Sequence, residues 1–112
     1  MPYAPLLSEP EISEGLSRLP DWRREGEELV RTVRCETFRD SIALVNRVAD
    51  AAEDADHHPD IEINWRRVTF RLTTKASHGL SAKDLAMAAV IDGLAAVIDG
   101  LAAGLASPDA GG

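Results

Sequence analysis

The chain has one cysteine, few aromatic residues and no excess of basic charge. The lone cysteine, Cys35, cannot form an internal disulfide. The net charge of −7 opposes binding to phosphate backbones, so no nucleic-acid partner is expected. The first residues, 1–5, lack the basic and apolar regions of a secretory signal. Together these absences predict a cytoplasmic protein without a membrane or nucleic-acid partner.

Capping signals followed by apolar residues at helical spacing predict three helices. A capping box at Ser8 opens a short first helix. Thr37 should cap a second, amphipathic helix that ends near Asp56. A further capping box, Ser81 with Asp84, opens a long apolar helix.

Four segments have the pattern of half-buried strands, at 22–24, 29–35, 61–65 and 68–72. The order α-β-β-α-β-β-α predicts an α+β domain in which three helices pack on one face of a four-stranded antiparallel sheet. Residues 1–104 should form this single domain and 105–112 a disordered tail. The uncovered face should be solvated or belong to a ligand cleft or a subunit contact. Four residues are predicted on it: Arg31, Thr69, Arg71 and Thr73.

The C-terminal region contains a duplication, because residues 88–94 are repeated letter for letter as 95–101. A seven-residue repeat keeps helical phase approximately, so the third helix should extend through 95–104. One apolar seam at coiled-coil spacing could pack against a second copy in a homodimer or homotetramer. Its members are Val90, Leu94, Val97 and Leu101. The alternative is a neutral duplication that extends a frayed helix.

All three histidines, His57, His58 and His78, fall within one short segment. Imidazole exchanges protons near neutral pH more readily than other side chains, so the cluster suggests proton-transfer chemistry. Just past a helix end, the adjacent pair could line two walls of one pocket, and Pro59 should fix its backbone. The alternative is an exposed turn at the helix end.

Two carboxylates stand where they could support the histidines. Glu53 lies four residues before His57, so a continuing helix would let it orient that imidazole; otherwise it is a solvated helix charge. Asp84 should act mainly as the capping-box acid of the third helix. No metal site is expected, because adjacent His57 and His58 diverge and no cysteine pair supports zinc.

Residues at fixed spacing accompany the histidine pair: Glu53, His57-His58-Pro59, Trp65, Gly79-Leu80-Ser81 and Asp84. This pattern closely resembles the pterin-4a-carbinolamine dehydratases. The resemblance covers about residues 8–94, and Trp22 matches the tryptophan that follows the family's first helix. It implies the same order of helices and strands.

The resemblance also implies an activity. Members of this family are hydro-lyases that remove water from 4a-hydroxytetrahydropterin to give quinonoid dihydropterin, without a metal or cofactor, in tetrahydrobiopterin recycling. By this resemblance His57 and His58 are the acid-base pair, and Glu53, Pro59 and Asp84 bind or support the substrate. Trp22 could stack on the flat pterin ring or belong to the core.

One position departs from the family pattern. A third histidine is expected after a threonine, but Thr74 is followed by Lys75. A lysine ammonium is a poorer acid-base group near neutral pH, although it could hold an anionic oxygen of the substrate. His78, three residues further on, or a water molecule could supply the missing function.

This departure leaves a second class of function open. The domain could have lost catalysis and act as a protein-binding or assembly factor. Proteins resembling this fold serve as a dimerisation cofactor of a transcription factor and as a Rubisco assembly factor. The Lys75 substitution favours this alternative, and the retained His57-His58-Pro59 run favours the enzyme.

Overall fold

The computed structural model describes residues 4–106, with side chains through residue 99. Its elements follow the predicted order, and the predicted α+β fold is confirmed. They are α1 (Glu9–Ser17), β1 (Arg23–Glu25), β2 (Glu28–Arg34), α2 (Phe38–Ala55), β3 (Asp60–Asn64), β4 (Arg67–Leu72), a single 3₁₀ turn (Lys75–Ser77) and α3 (Ala82–Ala106).

The predicted caps fix where the first two helices begin. At α1 the Ser8 hydroxyl accepts from the Glu11 N–H at 3.2 Å, and the Glu11 carboxylate accepts from the Ser8 N–H at 2.7 Å. At α2 the Thr37 hydroxyl accepts from the Asp40 N–H at 3.0 Å. Each bond satisfies a donor that the helix itself leaves free, typically worth about 1 kcal/mol.

The sheet has the strand order β1-β2-β4-β3, and every neighbouring pair is antiparallel. Along β4 burial alternates, so that Val68, Phe70 and Leu72 are buried while Thr69 and Arg71 are partly exposed. The buried side chains pack against apolar residues of the three helices, including Ile12, Leu44 and Ile91. The core therefore lies between one face of the sheet and the helices.

Arg31 does not lie on the uncovered face, and that prediction was wrong. It stands opposite Phe70 in the register and shares the inner face with Leu29 and Val33, because side chains two apart on a strand point the same way. Its guanidinium pairs with Asp92 of α3. Thr69 and Arg71 do lie on the outer face, as predicted.

Asp92 also accepts a hydrogen bond from the Trp22 indole N–H at 2.8 Å. One carboxylate therefore joins the segment before β1, the strand β2 and the helix α3. Arg31 Nε is the one buried side-chain polar atom without a hydrogen-bond partner in the described part of the chain, so this guanidinium depends strongly on its ion pair.

The helix α3 runs through both copies of the duplicated segment and ends at Ala106, two residues beyond the predicted end of the domain. Val90 and Val97 of the predicted seam are 43% and 47% exposed, whereas Leu94 packs against the core. The side chain of Leu101 and residues 107–112 of the predicted tail lie outside the described residues. The oligomer contact stays a prediction.

No helix within residues 4–106 combines the length and apolarity needed to cross a bilayer.

Asp92 and Asp99 occupy equivalent positions in the two copies, but Asp99 is exposed and Asp92 holds Arg31 and Trp22. We expect Asp92→Ala to lower the free energy of unfolding by about 1–3 kcal/mol, because it leaves a largely buried guanidinium with only its 3.7 Å contact to exposed Asp21. Asp99→Ala is the matched control and should change it by less than about 0.5 kcal/mol. Urea unfolding followed by circular dichroism measures both; equal effects would contradict the assignment.

Cys35 lies in the core, and burial raises the pKa of its thiol. Because the thiolate is the reactive species, we expect the native protein at neutral pH to react very slowly with a disulfide reagent. The same thiol should react fully in 6 M guanidinium, where about one equivalent is titrated. Rapid, complete reaction of the native protein would show that Cys35 is not packed as described.

Candidate active site

The end of α2 positions the histidine pair. Asp56 adopts a left-handed conformation with φ 52° and ψ 44°, and the His57 N–H donates back to the Ala52 carbonyl at 3.1 Å. This pattern is a helix C-terminal motif, in which aspartate is one of the few non-glycine residues that tolerate positive φ. The chain therefore leaves the helix axis before His57, and Pro59 leads directly into β3.

His57 is held by a buried carboxylate. Its Nε2 lies 2.7 Å from Oδ1 of Asp84, in the first turn of α3. Asp84 is fully buried and the His57 side chain is only 10% exposed. The second oxygen of Asp84, Oδ2, accepts from the Thr74 hydroxyl at 2.8 Å and from the Ser81 N–H at 3.0 Å. Asp84 thus caps α3, as predicted, and also orients the imidazole.

The contact with Asp84 determines which ring nitrogen of His57 carries the proton. A carboxylate only accepts hydrogen bonds, so Nε2 carries the proton that Asp84 receives. Within the described residues no hydrogen bond reaches the other nitrogen, Nδ1, which is not among the buried unpaired atoms and so has access to solvent. Nδ1 is therefore the nitrogen that can exchange a proton with a bound molecule.

His58 has a different environment. Its Nε2 lies 2.6 Å from Oε2 of Glu53, and the two side chains are 54% and 77% exposed. The prediction that Glu53 orients His57 is corrected on this point, because the left-handed Asp56 ends the helix and rotates His57 away from Glu53. An exposed pair of this kind contributes between about 0 and 1 kcal/mol to stability.

Lys75 and His78 stand at the two ends of one tight loop. Reciprocal backbone hydrogen bonds between Thr74 and Gly79, at 3.0 and 3.3 Å, close that loop. His78 has a left-handed φ of 62°, and its N–H donates to the Lys75 carbonyl at 3.1 Å. Both side chains are exposed, and no hydrogen bond within the described part of the chain joins either of them to His57 or His58.

His78 also lines a hollow of about 400 Å³ together with Ala4, Leu6, Ala76 and Ser77. The N-terminal segment forms one wall of this hollow, and the Ser77 hydroxyl donates to the Ala4 carbonyl. His78 therefore lies beside the N-terminal segment.

The two tryptophans are not next to the histidine pair. Trp22 is buried in the core and bonded to Asp92, which supports the core role over stacking on a ligand. Trp65 is exposed, with a φ of 59°, and the Arg66 guanidinium lies 4.3 Å from its ring centre. Since β3 starts next to Pro59 and ends before Trp65, its five residues place about 16 Å of extended backbone between Pro59 and Trp65.

Sequence reasoning missed the part played by Thr74 and gave Ser81 only a capping role. Both are buried, and their hydroxyls lie 2.6 Å apart beside Asp84. The available signal was a capping box close in sequence to a threonine that follows a buried strand. Among residues 4–106 no three His, Cys, Asp or Glu side chains lie close enough to hold a metal ion.

Comparison with known proteins adds the family to this geometry. Residues 5–94 match the family described as Pterin 4 alpha carbinolamine dehydratase. A relative from Nocardia farcinica is 54% identical over 89 residues, covering 80% of this chain and 94% of its own. One from Mycobacteroides abscessus is 49% identical over 87 residues, covering 78% and 93%. Both are named provisionally as pterin-4-alpha-carbinolamine dehydratases.

Two solved structures share the fold. The crystal structure of a transcriptional coactivator/pterin dehydratase from Brucella melitensis has a TM-score of 0.78 and 28% identity, covering 80% of this chain and 98% of that one. A pterin dehydratase-like protein described as a RuBisCO assembly factor in the alpha-carboxysome has a TM-score of 0.58 and 26% identity, covering 67% and 89%.

The family match over residues 5–94 covers the whole described sheet, the histidine pair and Asp84. The chain belongs to the pterin-4α-carbinolamine dehydratase family.

Proposed function

We propose that this protein is a 4a-hydroxytetrahydropterin dehydratase, a hydro-lyase that works by histidine acid-base catalysis without a metal or cofactor. The observation that carries the proposal is the His57–Asp84 pair. It presents one imidazole with a fixed orientation and an Nδ1 free of hydrogen bonds to the described residues, within the part of the chain that matches the family. Fixing a proton-transfer group in this way is what general acid-base catalysis requires.

The proposed reaction breaks one bond and makes one. The C4a–O bond of the substrate breaks as the N5 lone pair forms a C4a=N5 double bond, and the departing hydroxyl takes a proton to leave as water. A base then removes a proton from a pterin ring nitrogen, which gives the neutral quinonoid dihydropterin. One acid and one base are needed, and both are restored to their starting state when the two protons are exchanged with solvent.

The two histidines suit these two tasks in different ways. His57 is held rigidly and nearly buried, so it suits the transfer that demands a fixed geometry. His58 is exposed and paired only with exposed Glu53, so it can move to orient the substrate and exchange protons with water. Pro59 limits the backbone of this pair, and Asp84 supports the site through His57.

We also propose that His78 replaces the family's third histidine, with Lys75 holding an oxygen of the pterin. The support is their place on one closed loop, which begins at Thr74, the residue bonded to Asp84. The loop therefore starts next to the His57–Asp84 pair.

His57→Gln should reduce turnover by about 10²- to 10⁴-fold, because glutamine can still donate to Asp84 but cannot relay a proton. The measurement is the dehydration of synthetic 4a-hydroxytetrahydropterin followed by ultraviolet absorbance. Glu62→Gln on exposed β3 is the control and should behave as the native protein. A His57→Gln protein that is folded and turns over at the native rate would exclude the role of His57.

Substitutions at Lys75 and His78 test which residue replaces the family's third histidine. His78→Ala should lower turnover by about tenfold or more. Adding Lys75→His to it should restore part of the loss, because it returns an imidazole to the family position but removes the ammonium proposed to hold the pterin oxygen. Lys83→His, on the first turn of α3, supplies a histidine elsewhere as the control. Native turnover in His78→Ala would show that His78 has no catalytic part.

A protein-binding or assembly function is the second candidate, and the substitution at Lys75 together with the assembly-factor neighbour favours it. It would use the same fold without turnover, as a cytoplasmic homodimer or homotetramer with Val90 and Val97 available for contacts. The native chain's own rate separates the two proposals, because a binding factor would not accelerate the dehydration above the uncatalysed reaction.

A further inference from the structure

Three hydrogen bonds in the buried region between β4 and α3 form a chain that runs in a single direction, toward Asp84. Asp84 Oδ2 can only accept, so the Thr74 hydroxyl must donate its one proton to it, at 2.8 Å. The Ser81 hydroxyl must then donate to Thr74 Oγ1 across their 2.6 Å contact. Ser81 Oγ in turn accepts from the Lys83 N–H at 3.2 Å.

The direction of this chain follows from donor and acceptor capacity alone. Each hydroxyl can donate only one hydrogen bond, and the carboxylate at the end of the chain can only accept. Each hydroxyl must therefore point its proton toward the carboxylate. All three side chains are buried, so water does not compete for the bonds. The first donor is a free backbone N–H in the first turn of α3, and the chain ends at Asp84 Oδ2. His57 Nε2 donates a hydrogen bond to the other carboxylate oxygen, Oδ1, from the opposite side.

We infer that Thr74 and Ser81 are positioning residues for His57, acting through Asp84. The Thr74 hydroxyl and the Ser81 N–H occupy Oδ2, so that Oδ1 stays directed at His57 and the ring keeps its proton on Nε2. This inference rests on the proposed function for its effect on rate, but its effect on the imidazole exists whether or not the protein is an enzyme.

Loss of the Thr74 hydroxyl has a defined structural consequence. Oδ2 would lose one of its two donors, and the Ser81 hydroxyl would lose its acceptor and become free to turn toward Asp84. The carboxylate could then rotate, and the hold on His57 would weaken. The ring would populate both neutral tautomers and a wider range of orientations.

Thr74→Val removes the hydroxyl at nearly constant shape, and Thr74→Ser retains it. A matched control is Thr32→Val, because Thr32 and Thr69 also form a threonine hydroxyl pair at 2.8 Å, on the outer face of the sheet. Two-dimensional ¹H–¹⁵N spectra of the His57 ring report which nitrogen carries the proton. We expect the native protein, Thr74→Ser and Thr32→Val to show Nε2–H, and Thr74→Val to show a mixture.

Steady-state dehydration gives the second readout. Thr74→Val should lower kcat by about 10- to 100-fold with little change in KM, since the substrate still binds but the imidazole is misplaced. Thr74→Ser should recover most of the loss. An unchanged tautomer and an unchanged kcat in a folded Thr74→Val protein would overturn the inference.

The two readouts separate failure of the inference from failure of the proposed function. A mixed tautomer in Thr74→Val with no turnover by the native chain would support the positioning role and reject the dehydratase. A native tautomer and a native kcat in Thr74→Val, with normal turnover by the native chain, would reject the positioning role alone.

Discussion

The buried carboxylate of Asp84 is the constraint on which the site depends. Removing a carboxylate from water costs on the order of several kcal/mol unless its oxygens are fully bonded. Here three partners from three segments meet it: His57 after α2, Thr74 after β4 and Ser81 before α3. Because movement of any one of these segments alone would take a hydrogen bond away from a buried carboxylate oxygen, the carboxylate fixes their relative positions. The orientation of the His57 ring therefore depends on buried residues that also hold the fold together.

The topology of the sheet explains why these segments meet. The strand β4 is internal, between β2 and β3, so its end carries Thr74 toward the middle of the sheet edge. At that same edge α2 passes through the histidine pair into β3, which runs antiparallel to β4. Because the two strands are antiparallel, the start of β3 lies beside the end of β4. His57, just before β3, and Thr74, just after β4, therefore lie close together. The closed loop after Thr74 then returns the chain to begin α3 beside them.

The helices and strands could be predicted from the sequence, whereas the partners of Arg31 and Glu53 could not, and the difference has a physical reason. Periodicity and capping boxes gave the elements, since both are local properties of the chain. The charge of Arg31 favours the outer face, whereas its alternation with Leu29 and Val33 favours the inner one. A buried arginine becomes acceptable only when Asp92 lies across from it, and that contact is not visible in the local sequence. Glu53 would face His57 only if the helix continued past Asp56, and nothing in the local sequence indicates that Asp56 adopts a positive φ.

The roles of Asp84 and Thr74 lay beyond local reasoning for a different reason. A capping-box acid uses one oxygen to accept from the helix N-terminus. The hydrogen-bond donors that bind its remaining lone pairs come from segments distant in the chain. His57 is 27 residues away from Asp84. The family resemblance named the residues that belong together, but it did not state which carboxylate holds which imidazole, and that assignment required the packed structure.

The duplicated segment of α3 shows how a repeat can extend a domain without disturbing it. Seven residues turn a helix through nearly two complete turns, so each position of the second copy faces almost the same way as its equivalent in the first. Ala88 and Ile91 are buried and so are their equivalents Ala95 and Ile98, while Val90 and Val97 are both exposed. The second copy therefore packs against the core through Ile98, which argues against a frayed extension over that stretch. Equivalent exposure of the two valines then places the unsatisfied apolar surface of α3 on a single line along the helix, where a second chain could cover both with one contact.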